Sequence, residues 1–239
     1  MTTTEPQQPR ILWQVGIDLP LILSALIALA YGIWAPGLYD SANPPLLALA
    51  IFKAAPVFLL CFRAVMGRNA LLAYGLLFGC VGDFFLVWPD TFLHGALAFL
   101  IGHLCYIRLF LREGVGAALK QPPRLLAALA LIAAAIGMTA LLVPSDNAMF
   151  IPLSIYTGVL TLMTLSSFTL TAKHWLAIAG AVLFFISDGF VAWNMFHPDP
   201  DPTLAFWRSF AGWMIYWAGQ AGICYGALDL ARARPPAAS

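Results

Sequence analysis

Charge is what this sequence lacks most. Only 10% of its 239 residues are Asp, Glu, Lys or Arg, against 62% hydrophobic, and the mean hydropathy is +0.85. A soluble domain is about a quarter charged. A chain this apolar has too little polar surface to face water and is expected to be an integral membrane protein. The formal net charge of +1 leaves no basic footprint, which argues against nucleic acid as a partner. Cysteine is sparse too. Cys61, Cys80, Cys105 and Cys224 lie in apolar runs with no C-x-x-C spacing, so they read as small core residues, not as disulfides or a metal site. The opening "MTTTEPQQPRILWQVGIDLP" lacks the charged n-region, short apolar core and small-residue site of a cleaved signal, so the first span is expected to be retained.

What the chain does have is a series of long apolar runs. A spanning helix needs about 20 mostly apolar residues, and eight segments meet that length: 17–35, 45–64, 70–88, 91–111, 124–143, 149–167, 174–195 and 207–230. Turn chemistry separates them, in "APGLYDSANPP", "RNA", "WPD", "KQPPR", "VPSDN", "TAKH" and "HPDPDP". The expected fold is an all-α, polytopic membrane bundle of about eight transmembrane helices over 17–230. A cytoplasmic segment (1–16) precedes it and a disordered cytoplasmic tail (231–239) follows. With alternating spans, Arg10, Arg63, Arg68, Arg108, Arg112, Lys120, Arg124, Lys173, Arg232 and Arg234 fall on the side of the N-terminus, and Arg208 alone falls opposite. Ten against one predicts cytoplasmic termini.

Polar residues inside the spans carry the functional signal. Asp83 and Asp188 stand 105 residues apart, each opening a D-x-F-x-x-W frame: Asp83, Phe85, Trp88 and Asp188, Phe190, Trp193. "GHLCY" (102–106) and "GWMIY" (212–216) echo each other one span later. The recurrence is consistent with two parallel four-helix repeats. Helical spacing puts Gly75, Gly79, Gly82 and Asp83 on one face; Ala177, Gly180, Ala181, Phe184 and Asp188 on another; Gly95, Ala98, Phe99, Gly102, His103 and Tyr106 on a third; and Gly212, Tyr216, Gly219, Gln220 and Ile223 on a fourth. Small residues let helices approach closely in membranes, so these faces point into the bundle.

At about 1.5 Å per residue, Asp83 and Asp188 lie roughly 8–9 Å inside the outer edge, Tyr156 about 10 Å, Lys53 about 12 Å, and His103 and Tyr216 roughly 14–17 Å. Gln220 is deeper. These depths predict one polar cluster beneath the outer leaflet. Two carboxyls beside one ammonium favour one Asp ionised against Lys53 and the other protonated, an arrangement suited to acid/base catalysis. The competing interpretation is structural: the acids hold Lys53 in a buried ion pair, and His103 merely bonds a neighbouring helix.

In these residues the sequence resembles the YhhN-type lysoplasmalogenases. The resemblance lies in Gly82-Asp83, Phe92 to Gly95, Gly102-His103 to Tyr106, Ser187-Asp188 and Tyr216 to Gln220, with Lys53 near Pro56. It extends from about Lys53 to Gly226. It departs from the family's pattern in the wider Lys53–Pro56 spacing and in the long acidic loop before the last span. It implies hydrolysis of the vinyl ether of a lysoplasmalogen, giving a fatty aldehyde and a glycerophospho head group, without cofactor or metal. Asp83, Asp188 and His103 are then the expected catalytic residues. Lys53, Tyr106, Tyr156, Ser187, Asn194, Tyr216, Gln220 and Arg208 are expected to bind substrate. The expected partners are a lysophospholipid within the bilayer and membrane lipids, in the plasma (inner) membrane of a bacterium. Two rivals stand beside this reading. A zinc-dependent amidase of the alkaline-ceramidase type needs about three converging ligands, and His103 with His94 supplies too few. A proton-coupled transporter of lipids or small molecules is the other, although matching broken helices are absent from the two halves.

Overall fold

The computed structural model describes residues 18–41, 47–114 and 121–232. The segment expected over 1–16 lies outside them, as do Arg10, Lys120, Arg234 and positions 233–239. Eight α-helices follow one another: α1 (Leu19–Ser41), α2 (Leu47–Met66), α3 (Ala70–Phe85), α4 (Phe92–Glu113), α5 (Pro122–Leu142), α6 (Phe150–Ser167), α7 (Trp175–Phe196) and α8 (Pro202–Arg232). Among the described residues there is no strand.

The largest departures from the expected boundaries are in α1, α3 and α8. α1, expected to end at 35, runs on through Ser41, into residues expected to form a turn. α3 stops at Phe85, short of 88, where Leu86 N–H donates to Gly82 O in a final turn. Trp88 is extended at φ −106°, ψ 129°, as a residue before proline prefers. α8 begins at Pro202 instead of near 207, and it runs through Arg232, so the first two residues assigned to the tail are helical. Its start signal sits inside the loop. Asp201 Oδ1 accepts from Thr203 N–H at 2.8 Å, and Pro202 takes the first helical position, where a missing N–H is tolerated.

The bundle is apolar outside, and its apolar core holds a small set of polar side chains. Leu97, Leu104 and Leu111 on α4, Leu126 and Ile136 on α5, and Ile151, Ile155 and Leu162 on α6 are all exposed, whereas Asp83, His103, Thr164, Ser187 and Gln220 are buried. Five helical segments are long and apolar enough to cross a bilayer: Leu47–Met66, Pro89–Glu113, Pro122–Leu142, Phe150–Ser167 and Trp175–Phe196. α1 and α3 contribute shorter apolar stretches, 19–35 and 70–85. Backbone groups satisfied within helices, a greasy exterior and interior acids together make this an integral membrane helical bundle.

Close packing sets the interior. α7 packs principally on α8, and α3 on α4. A Cβ at Gly180 would stand 2.5 Å from Ile223 N and 2.7 Å from Gly219 O, so these two backbones meet without side chains between them. α5 is the most peripheral helix, with only Leu131 and Ala135 buried along its length. Polar links tie the ends of the bundle. Arg63 and Tyr225 both hold Asp18, which joins the start of α1 to α2 and α8. Arg124 of α5 donates to the carbonyls of Phe168 and Leu170, beyond α6. Two cations that the sequence presents only as orientation markers are therefore also structural.

Candidate active site

α3 and α7 deliver the two acids to one cavity of about 390 Å³. The four faces that helical spacing defines are turned inward. On α3 the buried residues include Gly75, Gly79, Gly82 and Asp83, and on α4 Gly95, Ala98, Phe99, Gly102, His103 and Tyr106. The cavity wall carries Asp83, Asp188, Lys53, Tyr156, Ser187, Asn194 and Tyr216 among mainly apolar neighbours. Seven expected site residues thus share one surface. Asp83 itself is 2% exposed.

Each acid has its own tyrosine. Tyr216 OH donates to Asp83 Oδ2 at 2.7 Å, and Tyr156 OH donates to Asp188 Oδ2 at 2.6 Å. Behind Tyr216 the hydrogen bonds continue in one direction. Gln220 Nε2 donates to Tyr216 OH at 3.2 Å, and Tyr106 OH donates to Gln220 Oε1 at 2.7 Å. The i, i+4 spacing of Tyr216 and Gln220 on α8 places them on one helical face. Gly79 leaves room for the amide, since a Cβ there would lie 2.6 Å from Gln220 Nε2. Tyr106 and Gln220 therefore stand behind the wall and orient Tyr216.

His103 also stands behind the wall. Its Nε2 is 3.1 Å from Tyr156 OH, its ring packs edge-on against Phe184 at 4.9 Å, and it is 1% exposed. Its Nδ1 is the only buried side-chain nitrogen or oxygen without a hydrogen-bond partner among the described residues. Lys53 lines the same cavity as both acids, and it forms an ion pair with neither.

Arg208 is committed to the α7–α8 connection. It donates to Asn194 Oδ1 at 2.5 Å and to His197 O at 3.0 Å, pairs with Asp199 at 3.6 Å, and lies 5.2 Å from the Trp193 ring centroid. Its contacts reach the cavity wall only through Asn194, which does line the cavity. The two D-x-F-x-x-W frames also diverge. Phe190 lines the cavity, whereas Phe85 packs on His94 at 5.8 Å.

Several wall residues were not anticipated. Tyr31 of α1 and Trp213 of α8 meet at 4.7 Å between ring centroids, and Trp213 Nε1 donates to Ala28 O at 2.8 Å. Met138, Thr139 and Val143 of α5 close another side. Trp213 lies three residues before Tyr216, a spacing that signals a shared face. No comparable signal marks Tyr31 or Met138. Among the described residues no group of three or more His, Cys, Asp or Glu side chains is placed to hold a metal ion.

The YhhN family model matches residues 48–227. The chain is 33% identical over 168 residues to lysoplasmalogenase TMEM86B of Sus scrofa, covering 65% of this chain and 67% of the relative. To lysoplasmalogenase TMEM86B of Homo sapiens it is 32% identical over 185 residues, covering 75% of each. To lysoplasmalogenase TMEM86A of Homo sapiens it is 30% identical over 184 residues, covering 69% and 71%. No solved structure matches significantly.

Proposed function

Because the chain belongs to the YhhN family, we propose that it is a hydrolase that cleaves the vinyl ether of lysoplasmalogens, using Asp83 and Asp188 as an acid/base pair. The observation that carries this reading is the pair itself. Two carboxyls from different helices face one apolar-walled cavity inside a membrane bundle, each held by a tyrosine. A vinyl ether is cleaved by protonating its β-carbon, which makes an oxocarbenium ion. Water then adds, and the hemiacetal collapses to aldehyde and alcohol. The chemistry asks for one carboxylic acid to protonate carbon and one carboxylate to take a proton from water. In a low-dielectric cavity the carboxylate also stabilises the cation. Both groups are supplied by this chain's own side chains.

The remaining residues take supporting roles in the same reading. Lys53 balances the charge of the pair. Ser187 and Asn194 line the wall and meet substrate, while Tyr106, Gln220 and His103 orient the tyrosines. Arg208 positions Asn194. The substrate is an amphiphile of the bilayer, which suits a site opening within it. The termini are cytoplasmic, and the membrane is the plasma (inner) membrane of a bacterium. The test is turnover by purified full-length protein in nanodiscs. A lysoplasmalogen should yield fatty aldehyde, before and after exhaustive chelation, while the corresponding ester lysophospholipid is not cleaved. Absence of aldehyde release from any lysoplasmalogen head group would sink the proposal.

A further inference from the structure

A cavity of about 390 Å³ is small for a lysophospholipid. It lies near the lower end of ligand pockets, roughly 300–1,000 Å³, and the glycerol, phosphate and reacting carbons take up the space beside the two acids. The rest of a long chain must leave through a wall. The walls differ in how tightly they are made. The α1 side is sealed. Trp213 Nε1 donates to Ala28 O and Trp217 Nε1 to Ser24 Oγ, both at 2.8 Å, and Ser24 Oγ donates to Pro56 O at 2.8 Å. A Cβ at Gly32 would stand 2.9 Å from the Phe210 ring. Tyr31 and Ala35, which line the cavity from α1, are buried. Among the described residues this packing leaves hydrocarbon no slot between α1 and α8.

The α5 side is the reverse. α3 packs closely along α2, whereas α6 and α7 meet sparsely, and α5 packs over both. α5 is fastened at its ends. Arg124 holds two carbonyls beyond α6, and His197 Nε2 donates to Leu142 O at 3.2 Å. Near its outer end α5 contributes Met138 and Val143 to the cavity, and α6 adds Leu153. α7 adds Val191 and Met195, which are 42% and 39% exposed although they line the cavity. A Cβ at Gly189 would lie 3.2 Å from Met138 Sδ, so the thioether reaches across to the residue that follows Asp188. Methionine has three rotatable bonds and a polarizable sulfur, and it reshapes readily around hydrocarbon.

Resting on the vinyl-ether reading above for the identity of the amphiphile, we infer that the hydrocarbon chain of the substrate leaves the acids through the crevice between α6 and α7, beneath α5, and that Met138 sets which chain lengths fit. The reacting end stays between the acids. The chain runs past Gly189, between Met138 and Val191, toward lipid. Lipid tails are as apolar as the crevice, so hydrophobicity alone does not select the chain. Shape does, and Met138 is the side chain that crosses the path.

Photolabelling tests this without turnover. The probe is a saturated 1-O-alkyl lysophosphocholine with a diazirine midway along its chain, added to full-length protein in nanodiscs. It lacks the vinyl group, so it should bind and stay intact. Adducts that an excess of the unlabelled lipid suppresses should map to 138–143 and 191–195. Suppressible adducts in 28–35 or 209–213 instead, or none anywhere, overturn the assignment. Chain length gives a second readout. Met138→Trp fills the crevice, so kcat/KM for a long-chain lysoplasmalogen should fall at least about tenfold, and the loss should shrink as the chain is shortened. Val191→Phe, on the facing wall, repeats the series if Met138→Trp does not insert. A loss independent of chain length, or no loss, contradicts the chain site. If no lysoplasmalogen is turned over while suppressible adducts still map to the crevice, the vinyl-ether reading fails and the chain site stands.

Discussion

An ionisable side chain inside a spanning helix is costly, about 2.5–3.5 kcal/mol at the helix centre on insertion scales, and this chain places three, Asp83, Asp188 and Lys53, around one cavity. Replacing either acid by Asn keeps its shape and removes its proton chemistry. Asp83→Asn and Asp188→Asn should each lower kcat at least about 10²-fold, the lower range for general acid–base catalysis, with an unchanged melting temperature. Unfolding in place of inactivation would favour a purely structural ion pair. Tyr216→Phe is subtler. Its ring stays packed against Phe184 at 5.2 Å and Trp213 at 5.6 Å, while Asp83 loses its hydrogen bond. A hydrogen bond to a charged group is worth about 1.5–3 kcal/mol, so kcat should fall about ten- to a hundredfold, as steady-state kinetics would register. The acids, Lys53 and both tyrosines were legible in the sequence because lone polar residues in apolar helices have a computable depth. The order of layers was not. Tyr156 and His103 come from different spans, and only packing decides which fronts the cavity. Nor could the sequence anticipate that Asn194, His197 and Asp199 occupy Arg208.

At the scale of the helix, small residues set the geometry that brings the acids together. Gly180 of α7 abuts the backbone of α8. Gly180→Ala should push these helices apart and lower the melting temperature by several degrees, since overpacking a tight contact costs about 1–3 kcal/mol. Gly158 of α6 has nothing within 4 Å of the position a Cβ would take. Gly158→Ala should leave the melting temperature unchanged or raise it, because Gly is a poorer helix former than Ala by about 1 kcal/mol. Thermal denaturation of the two variants side by side checks both. The inward faces of α3, α4, α7 and α8 were legible for the same reason, since i, i+4 spacing of Gly and Ala marks a helix contact in membranes. The starts and ends of helices were less so. The proline-rich loop before α8 hides a helix start at Asp201-Pro202, because the residues that cap a helix also make turns.

Across the whole molecule, the eight described helices together line one mainly apolar cavity with two acids in its wall, which no single span defines. Tyr31 of α1 and Met138 of α5 reach its wall, yet nothing in their own segments sets them apart from lipid-facing neighbours. The eight-helix count and the apolar exterior follow from composition and hydropathy alone. Orientation rests on the cation asymmetry, which predicts that the α5–α6 turn faces outward and the α4–α5 connection inward. In a background without native cysteines, Asp146→Cys should react with an impermeant thiol reagent applied to intact cells, and Gln121→Cys only after permeabilisation. The opposite pattern would turn the cavity toward the cytoplasmic leaflet. The measurement that bears most directly on the chemistry follows isotopes through turnover of a lysoplasmalogen by the purified protein. In ¹⁸O-labelled water the glycerophospho product should keep its unlabelled oxygen. In D₂O, aldehyde trapped at once should carry one deuterium beside the carbonyl carbon, and both Asn variants should release none. Label in the glycerol hydroxyl, or aldehyde without deuterium, would contradict protonation of the vinyl carbon by the carboxyl pair.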